Sequence, residues 1–215
     1  MLQRHQLAWL GDAGWQQVRD APWNAQAREC IDHWSSHRLP WVVTRQRSPA
    51  KLALGLAAPV QFGRLRLAIE VPHDAVTGFG HFPHAESIEP LLDASVRVDW
   101  RALCGDLRAR GCEAKVYGSH GWQWLAGLDC VHGESDLDLL LPVSSEATAD
   151  AVCAALASTA ITRPRLDGEL MFADGAGIAW REWQQWRGGR VRQMLVKRID
   201  GVELRSHRLV EEVGP

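Results

Sequence analysis

The run Ser135-Asp136-Leu137-Asp138-Leu139-Leu140-Leu141, closed by Pro142, leaves this chain few ways to fold locally. Successive side chains of a strand point to opposite faces. Leu137, Leu139 and Leu141 then make an unbroken apolar face for a core, while Asp136 and Asp138 share the other face with Leu140. Two carboxylates on a strand so committed to burial repel each other and lose hydration unless something positive lies between them. A hard cation such as Mg²⁺ takes carboxylate oxygens and leaves its remaining positions to water or phosphate. A solvated edge strand or a pair of helix-capping acids also accounts for Asp-Leu-Asp taken alone.

A second segment narrows the reading. Glu113 to Tyr117 has strand character, and Ser119 is placed to start a helix through Trp122, Trp124 and Leu125 to Gly127. Gly118-Ser119 at that junction aims backbone N–H groups and a hydroxyl at a helix N-terminus, where an anion is stabilised. A phosphate-holding turn followed by paired acids points to metal-dependent nucleotidyl transfer. Further along, Arg165-Leu166-Asp167-Gly168-Glu169-Leu170 offers a third carboxylate on another strand. Asp167 is the preferred candidate and Glu169 the secondary one; a hairpin turn at Asp167-Gly168 is the simpler alternative.

The rest of the chain supplies two modules. Ala25 to Ser36 reads as an amphipathic helix, followed by strand-like runs at Trp41–Arg45, Leu52–Leu56 and Leu65–Ile69. This predicts a small α+β domain over residues 1–88, its strands ending near Pro72, with His73 to Pro90 a connecting loop between the two domains. His81 and His84 within it lack an evident third metal ligand. Residues 89–215 alternate helix and strand: a helix over Val96–Arg110, an alanine-rich helix over Ser145–Ser158, and strands at Arg165–Phe172 and Val191–Arg198. That order argues a mixed α/β sheet covered by helices.

Charge and cysteine usage set limits. With 24 Lys and Arg against 26 Asp and Glu, there is no overall basic excess to recommend nucleic acid or a membrane surface as partner. Arg163, Arg165, Arg181, Arg187, Arg190, Arg192, Lys197 and Arg198 nevertheless crowd the last third, as a solvated surface or a face for polyphosphate. Five scattered cysteines without a C-x-x-C pair, and no signal-like N-terminus or apolar span, fit a cytoplasmic protein.

Sixteen residues separate Ser119 from Asp136. Gly-Ser followed by an acidic pair in a strand resembles the nucleotidyltransferase (polymerase β-like) superfamily, whose generic pattern has a shorter spacer. The spacer itself, Gly118-Ser119-His120-Gly121-Trp122-Gln123-Trp124-Leu125-Ala126-Gly127-Leu128, is similar to that of the phosphoribosyl-dephospho-CoA transferases of malonate decarboxylase systems (MdcG). Pro40-Trp41-Val42-Val43-Thr44-Arg45, Asp167-Gly168-Glu169 and Ala179-Trp180-Arg181-Glu182-Trp183 match as well.

The resemblance implies transfer of a prosthetic group from 2'-(5''-triphosphoribosyl)-3'-dephospho-CoA to a serine of the apo acyl carrier subunit, with release of diphosphate. It implies Mg²⁺ or Mn²⁺ at Asp136 and Asp138, with Asp167 completing the site, and phosphate binding by Gly118 and Ser119. His120, next to Ser119, is a further phosphate-binding candidate. Arg181 is another, as a bidentate donor, unless Glu182 or another acid pairs with it. Trp122 and Trp124, two apart on a helix, cannot share a face. Another nucleotidyltransferase-like enzyme, or a non-catalytic nucleotide-binding module, is the alternative function.

Overall fold

The computed structural model describes residues 2–206. In chain order the elements are β1 (Leu7–Leu10), α1 (Asp12–Asp20), α2 (Ala25–Ser36), β2 (Trp41–Val43), β3 (Leu52–Ala57), β4 (Arg66–Val71) and β5 (Val76–Gly80). Then come α3 (Arg97–Ala109), β6 (Lys115–Tyr117), α4 (Gly118–Ala126), β7 (Leu137–Val143), α5 (Glu146–Ser158), β8 (Leu166–Phe172) and β9 (Gly177–Ala179). The series ends with α6 (Trp180–Arg187), β10 (Met194–Lys197) and β11 (Val202–Arg205), and short 3-10 turns link several elements. The architecture is mixed α and β. Among the described residues no helix is long and apolar enough to cross a membrane.

Two compact units emerge. Of the described residues, one comprises those up to Pro83 together with Tyr117–Gly133; the other comprises His84–Val116 and those from Glu134 to residue 206. The first contains an antiparallel sheet ordered β4-β3-β2-β1-β5. Trp15 and Val18 of α1, Cys30, Ile31 and Trp34 of α2, and Trp41 of β2 are all buried in it. Asn24 caps α2, its Oδ1 accepting from the Ala27 amide at 2.8 Å, and the Trp34 indole donates to the Pro40 carbonyl at 2.9 Å. These satisfy polar groups that burial would otherwise leave costly.

Residues 73–90 are more ordered than a linker. β5 pairs with β1 and forms an edge of the first sheet, and Ala85–Leu91 is a 3-10 turn. The composition Val-Thr-Gly-Phe-Gly has little strand propensity of its own. Pairing with β1 supplies what propensity does not.

The second unit contains the sheet order β11-β10-β9-β8-β7-β6. β7 and β8 run parallel; β8–β9, β9–β10 and β10–β11 are antiparallel. Leu137, Leu139 and Leu141 are fully buried in one apolar cluster with Trp100, Leu103 and Leu107 of α3, Val152 and Leu156 of α5, and Trp183 of α6. The sequence reading of that strand's apolar face is therefore met, although the strand runs on through Pro142 to Val143. α5 starts after Ser145, whose Oγ accepts from the Thr148 amide at 3.1 Å.

Candidate active site

The helices pack on one face of the second sheet, so alternation puts the even-numbered residues of β7 and the odd-numbered ones of β8 on the other. Register then decides which acids meet. Asp138 lies opposite Asp167, and Leu140 opposite Glu169. Asp136 and Arg165 each sit one residue ahead of their strand, where the Leu137 amide donates to the Arg165 carbonyl at 2.9 Å. Asp167-Gly168 is thus inside a parallel strand and not in a hairpin turn. Gly168 has φ of +151°, and a Cβ there would fall 2.2 Å from the Leu139 carbonyl oxygen. Only glycine lets β7 and β8 approach so closely between the two acids of β8.

Each acid has a distinct environment. Asp136 is held below the usual carboxylate range, first by hydrogen bonds from Arg165 and more weakly by the positive charges of Arg165 and Arg181. The Arg165 Nε donates to Asp136 Oδ1 at 2.9 Å and its Nη2 to Oδ2; that Nη2 also lies 3.5 Å from Asp167 Oδ2. Asp138 is pushed up to about 6 by burial first, then by the charges of Asp167, Asp136 and Glu169, against a smaller opposing pull from Arg165. Asp167 Oδ1 accepts from the Gly168 amide at 2.8 Å.

Glu169 is almost fully buried and accepts from Lys197 Nζ at 2.6 Å. Lys197 on β10 reaches it across β9, whose Ala179 and Gly177 oppose Glu169 and Lys197 in register. Removing one partner of a buried pair strands the other. Lys197→Met is expected to cost about 2–4 kcal/mol in urea unfolding, with Lys197→Arg retaining most of the stability.

Arg181, second residue of α6, donates from Nη2 to the Leu166 carbonyl at 3.0 Å, its guanidinium 4.2 Å from the Trp180 ring centroid. Glu182 turns elsewhere and accepts from the Leu195 amide at 2.8 Å. The Arg181–Glu182 pair weighed from sequence does not form.

Asp136, Asp138, Asp167, Glu169 and Arg181 are thus brought together in the second unit. Among the described residues, no three His, Cys, Asp or Glu side chains are gathered closely enough to hold a metal ion; Asp136 is turned to Arg165. Arg165 stood out in the sequence only as one of a basic crowd, and its place beside Asp136 is set by the β7–β8 register. Gly118, Ser119 and His120 belong to the first unit. Gly118 has φ of +62° and opens α4 directly after Tyr117, with no side-chain cap and no acid in the first turn. Such an N-terminus carries the partial positive charge that suits an anion. Ser119 is half-buried and His120 buried.

Two further residues of α4 are structural. Trp122 is buried edge-on against Trp34 and Phe82, whereas Trp124 is exposed. Gln123 Oε1 accepts from the amides of Cys130 and Val131, tying the following loop to the helix; no spacing in the sequence announces that role.

Comparison with known proteins matches both halves of the chain. The N-terminal domain of phosphoribosyl-dephospho-CoA transferase MdcG matches residues 3–82, and the C-terminal domain matches residues 85–208. A phosphoribosyl-dephospho-CoA transferase of Bradyrhizobium diazoefficiens is 37% identical over 213 residues, covering 94% of this chain and 88% of the relative. One from Xanthomonas euvesicatoria pv. vesicatoria is 33% identical over 202 residues, covering 92% and 91%. No solved structure matches. With both domains matched and relatives aligned along nearly their whole length, the chain belongs to the MdcG family of phosphoribosyl-dephospho-CoA transferases.

Proposed function

We propose that this protein transfers the prosthetic group of 2'-(5''-triphosphoribosyl)-3'-dephospho-CoA to a serine of the apo acyl carrier subunit of malonate decarboxylase, using a nucleotidyltransferase-type site. The observation that carries the reading is the row Asp136, Asp138 and Asp167 at the start of two parallel strands, in a chain of this family. The carrier serine Oγ forms a bond to the phosphorus borne by the donor's ribose. The bond from that phosphorus to the terminal diphosphate breaks, diphosphate leaves, and a phosphodiester joins carrier and cofactor.

The donor chemistry is of the kind a hard divalent cation takes, although among the described residues the acids are not gathered around one point and Asp136 is turned to Arg165. It is oxygen-only and rich in negative charge, and burial first, then the neighbouring carboxylates, hold Asp138 up at about 6. Asp136 and Asp138 would hold Mg²⁺ or Mn²⁺, with Asp167 completing the set. An ion bound there would supply neutralisation of charge on the transferring and leaving phosphates. Asp167 accepts the serine proton. Arg181 is the phosphate-binding candidate of the second unit, and Gly118, Ser119 and His120 at the start of α4 are those of the first.

The test is incubation of the protein with apo carrier, Mg²⁺ and the triphosphoribosyl donor, followed by intact mass of the carrier. The expected product carries one phosphoribosyl-dephospho-CoA group. An unmodified carrier, or modification only when a plain nucleotide replaces that donor, overturns the reading.

A further inference from the structure

Glu169 is the only buried carboxylate among the described residues, and its partner is an uncommon residue in this chain. Only three of the 24 basic residues are lysines, Lys51, Lys115 and Lys197. Arginine suits a buried carboxylate better, because its fork spends two donors on the two oxygens, as Arg165 does on Asp136. Lysine supplies a point charge with three rotatable donors. Lys197 Nζ spends one of them, on Glu169 Oε1 at 2.6 Å, and among the described residues it has no second partner. Its side chain is 33% exposed, so the ammonium keeps donors for a group arriving from outside. β9 lies between the partners and offers only Gly177 and Ala179 to that face. The face therefore dips over β9, and the Lys197 stem lies across the dip.

We propose that the Lys197 ammonium binds a phosphate of the donor's polyphosphate chain over β9, and that Glu169 is the positioning residue that aims it. This rests on the reading that the donor reacts beside Asp138 and Asp167; no metal ion takes part in the contact. Asp167 and Glu169 are two apart on one face of β8, about 7 Å, a distance that a triphosphate chain spans. The terminal diphosphate then comes within reach of Lys197 while the phosphorus borne by the ribose stays at the acid row. As diphosphate leaves, its growing negative charge meets a donor already held in place. Glu169, the secondary acid candidate, acts through Lys197 and does not touch substrate.

The experiment is calorimetric titration of inorganic tripolyphosphate, with Mg²⁺ present, into the intact wild type, Lys197→Met, and the double variant Glu169→Gln with Lys197→Met. The single variant strands Glu169, whereas the double leaves no charge unpaired and should regain most of the urea stability. Both are expected to bind tripolyphosphate about tenfold more weakly than wild type, and the double variant should show a comparable rise in donor KM. A second measurement needs no variant. In wild type, saturating tripolyphosphate should protect Lys197, but not Lys51 or Lys115, from reductive methylation read by peptide mass. Wild-type tripolyphosphate affinity in the double variant overturns the proposal and leaves the pair a structural one. Equal methylation of Lys197 with and without tripolyphosphate overturns it as well. A wild type that binds no tripolyphosphate, yet still modifies apo carrier, overturns the role of Lys197 and leaves the transfer reading standing. A wild type that fails to modify apo carrier removes that reading, and the assignment of Lys197 to the donor with it.

Discussion

Asp138→Asn is expected to abolish transfer and at the same time make the metal-free protein more stable. The two effects have one cause. Burial and the charges of Asp167, Asp136 and Glu169 raise the Asp138 carboxyl to about 6, above its ordinary value of 3.8. A carboxylate raised on folding binds a proton more tightly in the native state. Its relative stabilisation is fully present below the unfolded value and is lost as pH rises through about 6. At neutral pH the charged Asp138 therefore works against the fold. Asparagine has nearly the same shape and no charge, so the variant should gain about 1–2 kcal/mol above pH 6. The gain should shrink to nothing below about pH 4, as the Asp138 carboxyl is protonated there in both the folded and the unfolded state.

On the proposed reading, the same substitution would remove an oxygen ligand and part of the negative charge offered to a cation. Loss of transfer by about 10³-fold or more is expected. Thermal unfolding with and without Mg²⁺, at pH 4 and pH 7.5, checks the argument without reference to turnover. Wild type should gain stability from Mg²⁺ by mass action, and Asp138→Asn should not. A variant less stable than wild type in chelator at pH 7.5 would contradict the charge argument.

Much of this was legible from side-chain parity and capping signals. The bounds of α2, Ala25–Ser36, follow from its apolar spacing, and Ser145 announces α5. The two faces of β7 follow from alternation, because local sequence alone determines them. What stayed hidden depends on distant partners. β1 and β5 are short and complete one another across about seventy residues of chain. Glu169 and Lys197 are both visible as charged residues, but nothing local says that they meet across β9. The Trp122–Trp124 pair shows the limit from another side: helical spacing excludes a shared face, yet only packing against Trp34 and Phe82 tells which one is core.

Gly168→Ala should have the largest effect on folding of any single-methyl change in the second unit. Its Cβ would stand 2.2 Å from the Leu139 oxygen and 2.9 Å from the Leu139 carbonyl carbon, both backbone atoms of the adjacent parallel strand. Neither can move unless β7 and β8 separate, and the φ of +151° is one that alanine rarely adopts. A cost of about 3–5 kcal/mol is expected, read as a shift in the urea midpoint. Gly105→Ala is the opposite case. It lies inside α3 with nothing within 4 Å of an added Cβ, and alanine there should stabilise by about 0.5–1 kcal/mol. The contrast separates a general response to glycine replacement from the demand for close strand approach. That approach places Asp167 across from Asp138, so the folded fraction of Gly168→Ala should also lose Mn²⁺ affinity and transfer. Wild-type stability in Gly168→Ala would mean that the strands are not held this closely, and would undo the register on which the carboxylate row depends.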